Sequence, residues 1–223
     1  MTNLLEINNL SVDFPSRRGQ VAAVNKVSIT VAKGEVLGLV GESGAGKSTV
    51  GNSIINLLEP PGYISAGEIV FDGNRIDQLS NEEMRKIRGA KIGTIFQDPQ
   101  TSLNPLMTIG KQLSETLIET LKISGSSARE KSIELLDSVG IPNPEPRLDA
   151  YPHQFSGGMR QRVVIALALA GDPDLVIADA PTTALDVSIQ KQILDLIKSL
   201  CKQRNLGVII VTHDIGVIAE IAD

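Results

Sequence analysis

Residues 41–48, Gly41-Glu42-Ser43-Gly44-Ala45-Gly46-Lys47-Ser48, fit the phosphate-binding pattern Gly-x-x-x-x-Gly-Lys-Ser/Thr. An apolar run at 36–40 precedes this stretch and is typical of a buried strand, and apolar residues at helical spacing follow it. Glycines let the backbone curl so that its N–H groups point at phosphate oxygens, and a helix N-terminus adds unpaired donors. The stretch therefore predicts a loop that binds nucleotide phosphates, with Lys47 as a mobile cation and Ser48 as a ligand of Mg²⁺.

The composition is that of an ordinary globular protein. The chain has 223 residues, of which 42% are hydrophobic and 21% charged, enough for one large domain or a core with a smaller subdomain. A net charge of −5 and an aromatic content of 3% give no indication of a surface that binds nucleic acid. The single cysteine, Cys201, cannot form an internal disulfide, which suits a reducing compartment. No apolar run is long enough to span a bilayer and the N-terminus lacks a signal-peptide pattern, so membrane association is expected only through partners.

The hydrophobic periodicity predicts an α/β protein with two kinds of sheet. Two early strands, at 4–14 and 21–31 with a loop at 15–19 between them, indicate an antiparallel sheet attached to the nucleotide core. Ser80 and Glu83 have the spacing of a capping box at a helix start. Further strands are expected at 67–73, 92–96, 175–178 and 206–211, and helices at 81–88, at 108–140 with a break at 124–127, at 157–170 and at 189–200. Short apolar strands that alternate with helices favour a mostly parallel sheet, and the long helical insert is interpreted as a subdomain.

Small or polar residues follow four of the predicted strands, namely Gly41, Gln97, Asp179 and His213. Ligands in parallel α/β sheets bind at the carboxyl ends of the strands, so these residues are expected to share one site. Asp179 fits a second ligand of Mg²⁺ opposite Ser48, and the alternative is a solvated aspartate at a strand end. His213 is either a functional residue or an ordinary loop histidine, and we favour the first because it follows a buried strand as Asp179 does.

The order of these motifs resembles that of an ABC transporter ATPase subunit. The resemblance covers nearly the whole chain and is carried by residues 41–48, Gln97, Ser156-Gly157-Gly158-Met159-Arg160-Gln161, Asp179, Ala184-Leu185-Asp186 and His213. The Ser-Gly-Gly signature is the specific part, because other phosphate-loop proteins lack it. Two longer stretches, 96–105 (FQDPQTSLNP) and 151–159 (YPHQFSGGM), are similar to the ATPases of dipeptide and oligopeptide importers, a group that includes nickel and related importers.

The resemblance implies a fold and a division of the chain. The expected fold class is α/β, with a P-loop NTPase (RecA-like) core, an N-terminal antiparallel β subdomain and an inserted α-helical subdomain. Residues 1–223 are expected to form one nucleotide-binding domain, in which 1–100 and 160–223 make the ATP-binding core and about 101–160 the helical subdomain.

The resemblance also implies roles for individual residues. Mg²⁺ is expected at Ser48, Gln97 and Asp179, and Gln97 and His213 are expected to act on the γ-phosphate. Phe14 falls at the adenine-stacking position, although its default interpretation is a core residue of a strand. Ser156, Gly157 and Gly158 are expected to cap the γ-phosphate bound by an opposite subunit, with Asp186 at the dimer contact. The full set of expected nucleotide contacts is Phe14, Gly41, Glu42, Ser43, Gly44, Ala45, Gly46, Lys47, Ser48, Thr49, Ser156, Gly157, Gly158, Met159 and Asp186.

The implied assembly is a head-to-tail dimer with a second ABC ATPase subunit, identical or related. Transmembrane permease subunits are the expected direct partners, and an extracytoplasmic solute-binding protein an indirect one. The implied location is peripheral, on the cytoplasmic face of the inner membrane. Two other classes are less well supported: a soluble ABC ATPase acting on ribosomes or DNA, which usually has fused cassettes or a long coiled-coil insert, and a non-ABC phosphate-loop enzyme such as a kinase.

The chain departs from the family pattern at two places. After the strand ending in Asp179 the family has Glu-Pro-Thr, and this chain has Ala180-Pro181-Thr182. The glutamate normally polarises the attacking water, so Ala180 is interpreted as an engineered substitution that traps ATP, or as the residue of a naturally inactive subunit. The second departure is the ending at Asp223, inside an expected helix and without a capping signal, where importers of this group usually continue. With Cys201 alone, no cysteine-ligated iron–sulfur cluster is expected in this chain.

Overall fold

The structure is a computed structural model that describes residues 3–16, 19–183 and 185–222. In chain order the elements are β1 (Asn3–Ser16), β2 (Gly19–Ala32), β3 (Val36–Val40), α1 (Lys47–Ile54), β4 (Tyr63–Phe71), β5 (Asn74–Arg75), α2 (Asn81–Ile87), β6 (Ile92–Ile95), α3 (Pro99–Ser102), α4 (Ile109–Leu121), α5 (Gly125–Ser138), α6 (Pro144–Arg147), a 3-10 turn (Pro152–Gln154), α7 (Gly157–Leu169), β7 (Leu175–Asp179), α8 (Val187–Arg204), β8 (Gly207–Thr212) and α9 (Ile215–Ile221).

Four strands form an antiparallel sheet in the order β2-β1-β4-β5. The first two strands pair along their full length, and Ser16 lies opposite Gly19. The predicted loop at 15–19 is therefore wrong for Pro15, Ser16 and Gly19, which belong to strands, and residues 17–18 lie outside the described part. The two strands stay paired up to the end of the hairpin, where the Ser16 hydroxyl also donates a hydrogen bond to the carbonyl of Gly19 at 2.8 Å.

The second sheet is parallel throughout, in the order β3-β8-β7-β6. Its side chains alternate between two buried clusters, as the two-residue period of a strand requires. Leu175, Ile177, Ile209 and Val211 pack with the antiparallel sheet and α1. Val176, Ala178, Val208 and Ile210 pack with α7, α8, α9 and the helical insert. Both faces of the parallel sheet are covered, which explains why its strands are almost wholly apolar.

The helical insert between β6 and β7 differs from the prediction in where it is interrupted. Lys122 ends α4 in a left-handed conformation with φ 59°, and Ser124 is the N-cap of α5. The predicted break at 124–127 is therefore wrong, since Gly125, Ser126 and Ser127 form the first turn of α5. The shift has a local cause, because serine before a helix is a favourable N-cap residue. Ile109, Leu113 and Leu117 lie one turn apart and are buried on one face of α4, whereas Leu121 at the end of that face is exposed.

Two other local expectations have clear outcomes. The capping box at α2 is confirmed: the N–H of Glu83 donates to the Ser80 hydroxyl at 3.3 Å, and the N–H of Ser80 donates to the Glu83 carboxylate at 2.9 Å. Hydrogen bonds from the Ser80 hydroxyl and N–H hold the pKa of Glu83 below its usual value. At the other end, α9 ends at Ile221 and Ala222 is extended, rather than continuing a helix.

Candidate functional site

The predicted phosphate loop connects the end of β3 to the start of α1. Two of its glycines adopt left-handed backbone conformations, Gly44 with φ 83° and Gly46 with φ 84°. Gly46 is the N-cap of α1, and its carbonyl accepts the hydrogen bond from Val50 N–H at 3.0 Å that begins the helix. Because Gly46 has no side chain to cap the first turn, the N–H groups there are left for a ligand.

Lys47, the first residue of α1, folds back over the loop. Its ammonium group donates to the carbonyl oxygens of Gly41 at 2.8 Å and Glu42 at 2.7 Å. The two bonds hold the positive charge above the curled backbone and leave the third N–H donor of the ammonium for another acceptor. An anion placed on this loop would therefore meet a positioned cation and backbone donors together.

The loop forms one wall of an open cleft with a volume of about 240 Å³. The residues that line this cleft, called here the phosphate cleft, are Ala23, Ser43, Gly44, Gly46, Lys47, Ser48, Thr49, Gln97, Asp179, Ala180, Val211, Thr212 and His213. Ten of these are sequence-predicted site residues, drawn from the ends of four parallel strands. Ala23, Val211 and Thr212 were not predicted. Thr212 could have been predicted, because it directly precedes His213. Ala23 lies in the antiparallel sheet, and nothing in the sequence indicates that it would line the cleft.

The strand register explains why residues far apart in sequence meet here. Val40 lies opposite Thr212, and Val211 lies opposite Asp179. The residues that follow these strands therefore leave the sheet at one edge. Asp214, just after His213, anchors its loop: its N–H donates to the Thr212 hydroxyl at 3.1 Å, and its carboxylate accepts from the N–H of Gly216 at 2.8 Å. This anchoring leaves His213 exposed at the cleft.

Ala180 occupies a constrained position beside Asp179. Its φ is 45°, a left-handed value that is uncommon for a residue with a side chain, and its surface is only 9% exposed. Its N–H donates to the carbonyl of Val211 at 2.8 Å, and its carbonyl accepts from Thr183 at 3.1 Å. The backbone is thus held on both sides, and the methyl group supplies no polar atom to the cleft.

The donor set of the phosphate cleft fits a divalent cation of the Mg²⁺ type. The Ser48 hydroxyl, the Gln97 amide and the Asp179 carboxylate would supply oxygen ligands to such a cation, and Mg²⁺ is usually held by one or two carboxylates together with substrate phosphates. Within the described residues, no group of three or more His, Cys, Asp or Glu side chains could hold a metal ion. A Mg²⁺ ion here would complete its coordination with oxygens of water or of a bound phosphate.

Several predicted site residues lie outside the phosphate cleft. The ring of Phe14 packs beside Gly62 and against the core of the antiparallel sheet, so it does not line the cleft. Ala45 lies in a neighbouring groove with Val40 and Asn25. Gly41 and Glu42 contribute the carbonyls that accept from Lys47.

The predicted signature segment is also separate from the phosphate cleft of its own chain. Ser156 is the N-cap of α7, and its hydroxyl accepts from the N–H of Met159 at 3.3 Å. Gly157 and Gly158 form the first turn of that helix. Asp186 is exposed at the N-cap of α8. None of these residues is among those that line the phosphate cleft.

Comparison with known proteins identifies the family. The sequence profile described as "ABC transporter" matches residues 24–183, which is most of the chain and includes the phosphate loop and the strand ending in Asp179. The chain belongs to the ABC transporter family. The resemblance seen in the sequence is therefore confirmed, as is the expected fold class of an ABC ATPase cassette.

Two curated ABC proteins are similar to this chain over its whole length. The oligopeptide transport ATP-binding protein OppD of Bacillus subtilis is 53% identical over 100% of this chain and 63% of its own length. The dipeptide transport ATP-binding protein DppD of the same organism is 51% identical over 100% of this chain and 67% of its own length. This chain thus spans about two thirds of the length of these curated relatives.

A solved ABC structure shares the fold. A dimeric ATP-binding cassette in a post-hydrolysis state, bound to ADP and Pi, superposes with a TM-score of 0.82 at 33% identity, covering 96% of this chain and 89% of the other. As for the membrane, none of the described helices of this ABC chain combines the length and the apolar character needed to cross it.

Proposed function

We propose that this chain is the ATP-binding and ATP-hydrolysing motor subunit of an ABC importer for dipeptides or oligopeptides. The proposed ATPase activity rests on the phosphate cleft, where a glycine loop, a positioned lysine and the ends of parallel strands meet. Support for the peptide class comes from the transport proteins OppD and DppD, which are about half identical to this chain.

ATP is the proposed substrate of the cleft, with Mg²⁺ as the cofactor. Backbone N–H groups of the glycine loop and the Lys47 ammonium bind the β- and γ-phosphates. Ser48, Gln97 and Asp179 are the residues that would hold Mg²⁺, which neutralises charge on the phosphates and orients them when it is bound. His213 donates a hydrogen bond toward the γ-phosphate from the exposed edge of the cleft.

The proposed active form is a head-to-tail dimer with a second ABC subunit, identical or related. Ser156, Gly157, Gly158 and Met159 at the start of α7 cap the γ-phosphate bound by the opposite chain, because a helix N-terminus with small residues suits an anion. Asp186 lies at the dimer contact. The dimeric state of the similar cassette bound to ADP and Pi supports a dimer as the active form.

Hydrolysis is proposed to be impaired in this chain. A positioned general base accepts a proton from the attacking water, and the methyl group of Ala180 cannot do so. The groups proposed to bind ATP and Mg²⁺ remain, so the nucleotide should bind and hold the closed dimer for longer than in an active cassette.

The proposed coupling links ATP-driven dimer closure to solute uptake. Gln97 lies where β6 leads into the helical insert, so it joins the γ-phosphate site to the proposed helical subdomain of about residues 101–160, with 1–100 and 160–223 as the ATP-binding core. The proposed partners are transmembrane permease subunits and, through them, a solute-binding protein. The proposed location is peripheral, on the cytoplasmic face of the cell membrane.

The experiment compares this chain with Ala180→Glu for phosphate release and for oligomeric state in Mg-ATP, with Lys47→Met added to each as a control in which phosphate binding is weakened. We expect an ATP-held dimer of the unsubstituted chain and a gain of roughly 10²- to 10⁴-fold in turnover for Ala180→Glu. Absence of nucleotide binding to either chain would contradict the ATPase. Uptake of di- and oligopeptides compared with nickel, driven by the Ala180→Glu variant after reconstitution with permease subunits, tests the substrate class against an importer of nickel or another small solute.

A further inference from the structure

Gly158, in the first turn of α7, lies directly against α8 of the same chain. A β-carbon placed on Gly158 would be 2.7 Å from Cγ2 of Ile189, closer than carbon atoms approach without overlap. The adjacent Gly157 differs, because its β-carbon would have Leu185 Cδ2 as nearest neighbour at 3.8 Å, an ordinary contact. Only one of the two signature glycines is therefore forced to be glycine by its own chain.

The obstructing methyl group cannot easily move away. Ile189 is β-branched and sits in the first turns of α8, where a branched side chain has one strongly preferred rotamer. Its Cγ2 is attached directly to the β-carbon, unlike the far end of a flexible side chain. The N–H of Gln190 donates to the carbonyl of Asp186 at 2.8 Å, which anchors this end of α8.

The two helices are also tied together beyond the glycine. Arg162 of α7 donates to the side-chain carbonyl of Gln192 on α8 at 3.3 Å and to the backbone carbonyl of Val139 at 2.6 Å. The bond to Gln192 joins α7 to α8 about one turn beyond Gly158, and the bond to Val139 joins α7 to the residue that follows α5. A shift of α7 away from α8 would lengthen the bond to Gln192 unless the Arg162 side chain moved with it.

We infer that Ile189 is a positioning residue for the signature segment. Its methyl group sets how closely Ser156–Met159 lies to α8, and position 158 is glycine because this contact within one chain leaves no room for a side chain. The effect of Ile189 on nucleotide capping relies on the proposed function, in which Ser156–Met159 caps a nucleotide held by the opposite subunit. An opposing explanation is that Gly158 is needed only to make room for that nucleotide.

A double-mutant cycle in the nucleotide-free chain tests the contact. Gly158→Ala is made in the unsubstituted chain, in Ile189→Val, which keeps the obstructing methyl, and in Ile189→Ala, which removes it. We expect Gly158→Ala to lower Tm by roughly 2 to 12 °C in the first two backgrounds and to cause no further loss in the third. Gly157→Ala is the matched control, and it should leave Tm unchanged or raise it by up to about 4 °C. An equal fall in Tm in all three backgrounds would show that Ile189 does not obstruct a side chain at position 158.

The same variants are then tested for dimer formation in Mg-ATP and for ATP binding to their own phosphate cleft. Gly158→Ala should weaken the dimer by roughly tenfold or more, and adding Ile189→Ala should restore it to within about threefold of Ile189→Ala alone. ATP binding by the monomer, measured at protein concentrations too low for dimer formation, should be the same in all variants, because these residues do not line the phosphate cleft of their own chain. If the double variant stays weak, Gly158 serves the nucleotide and the positioning role is overturned. If the unsubstituted chain binds ATP but forms no dimer, both the head-to-tail proposal and the positioning role fail. The Tm measurements would still show whether Ile189 obstructs a side chain at position 158.

Discussion

Replacing Gly46 by alanine tests how the antiparallel sheet confines the phosphate loop. Gly46 has φ 84°, and a β-carbon there would overlap the carbonyl oxygen of Ala23 in β2. Gly44 in the same loop has a similar φ of 83°, yet nothing lies within 4 Å of where its β-carbon would be. Gly44→Ala therefore measures the destabilisation from the backbone conformation alone, and Gly46→Ala measures that destabilisation together with the overlap.

The magnitudes follow from these two environments. A left-handed conformation costs an L-residue about 1–2 kcal/mol, which applies to both positions. Overlap in a packed region adds about 1–3 kcal/mol at Gly46 only, and since the obstructing atom belongs to the backbone, no side-chain rotation relieves it. The entropy lost by the unfolded chain on replacing glycine is shared by both variants and cancels in their comparison.

The assay is thermal unfolding of both variants without nucleotide. For a domain of this size each kcal/mol shifts Tm by about 2–4 °C, so Gly46→Ala should unfold roughly 2–12 °C below Gly44→Ala. ATP titrations of both variants show whether the extra loss is accompanied by weaker binding at the loop. Equal Tm values for the two variants would refute the reasoning, because β2 would then not constrain the loop.

Three further substitutions have defined outcomes. Lys47→Met should weaken ATP binding by roughly 10- to 100-fold, the loss of a charged hydrogen-bond donor, as measured by calorimetric titration. Asp77→Asn should lower stability by about 1 kcal/mol at neutral pH. Burial opposes ionisation of Asp77, but hydrogen bonds from Arg75 and from the N–H of Ile69 outweigh it and hold its pKa below the ordinary 3.8. Its stabilisation is therefore complete above that value and lost as pH falls through the lower folded pKa, so unfolding curves of the two proteins should converge in acid. Ser80→Ala removes the capping box and should cost about 1 kcal/mol in denaturant unfolding, whereas Ser80→Asp should retain most of it.

The amino-acid sequence by itself determined the strand–loop–helix unit at residues 36–54 and most of the residues that meet at the phosphate cleft. Both follow from short-range rules: a glycine pattern defines the loop, and apolar runs locate strand ends, which parallel pairing then brings to one edge. Local rules also predicted the capping box at Ser80, because its partners are three residues apart.

Only the tertiary structure decided the close approaches. The carbonyl of Ala23 lies over Gly46, the ring of Phe14 packs beside Gly62, and the methyl of Ile189 fills the space next to Gly158. In each pair the partners are separated by more than twenty residues of sequence, so no local pattern records them. They arise from the way two sheets and the helices between them pack to high density, and packing depends on side-chain volumes summed over the whole fold rather than on any one segment.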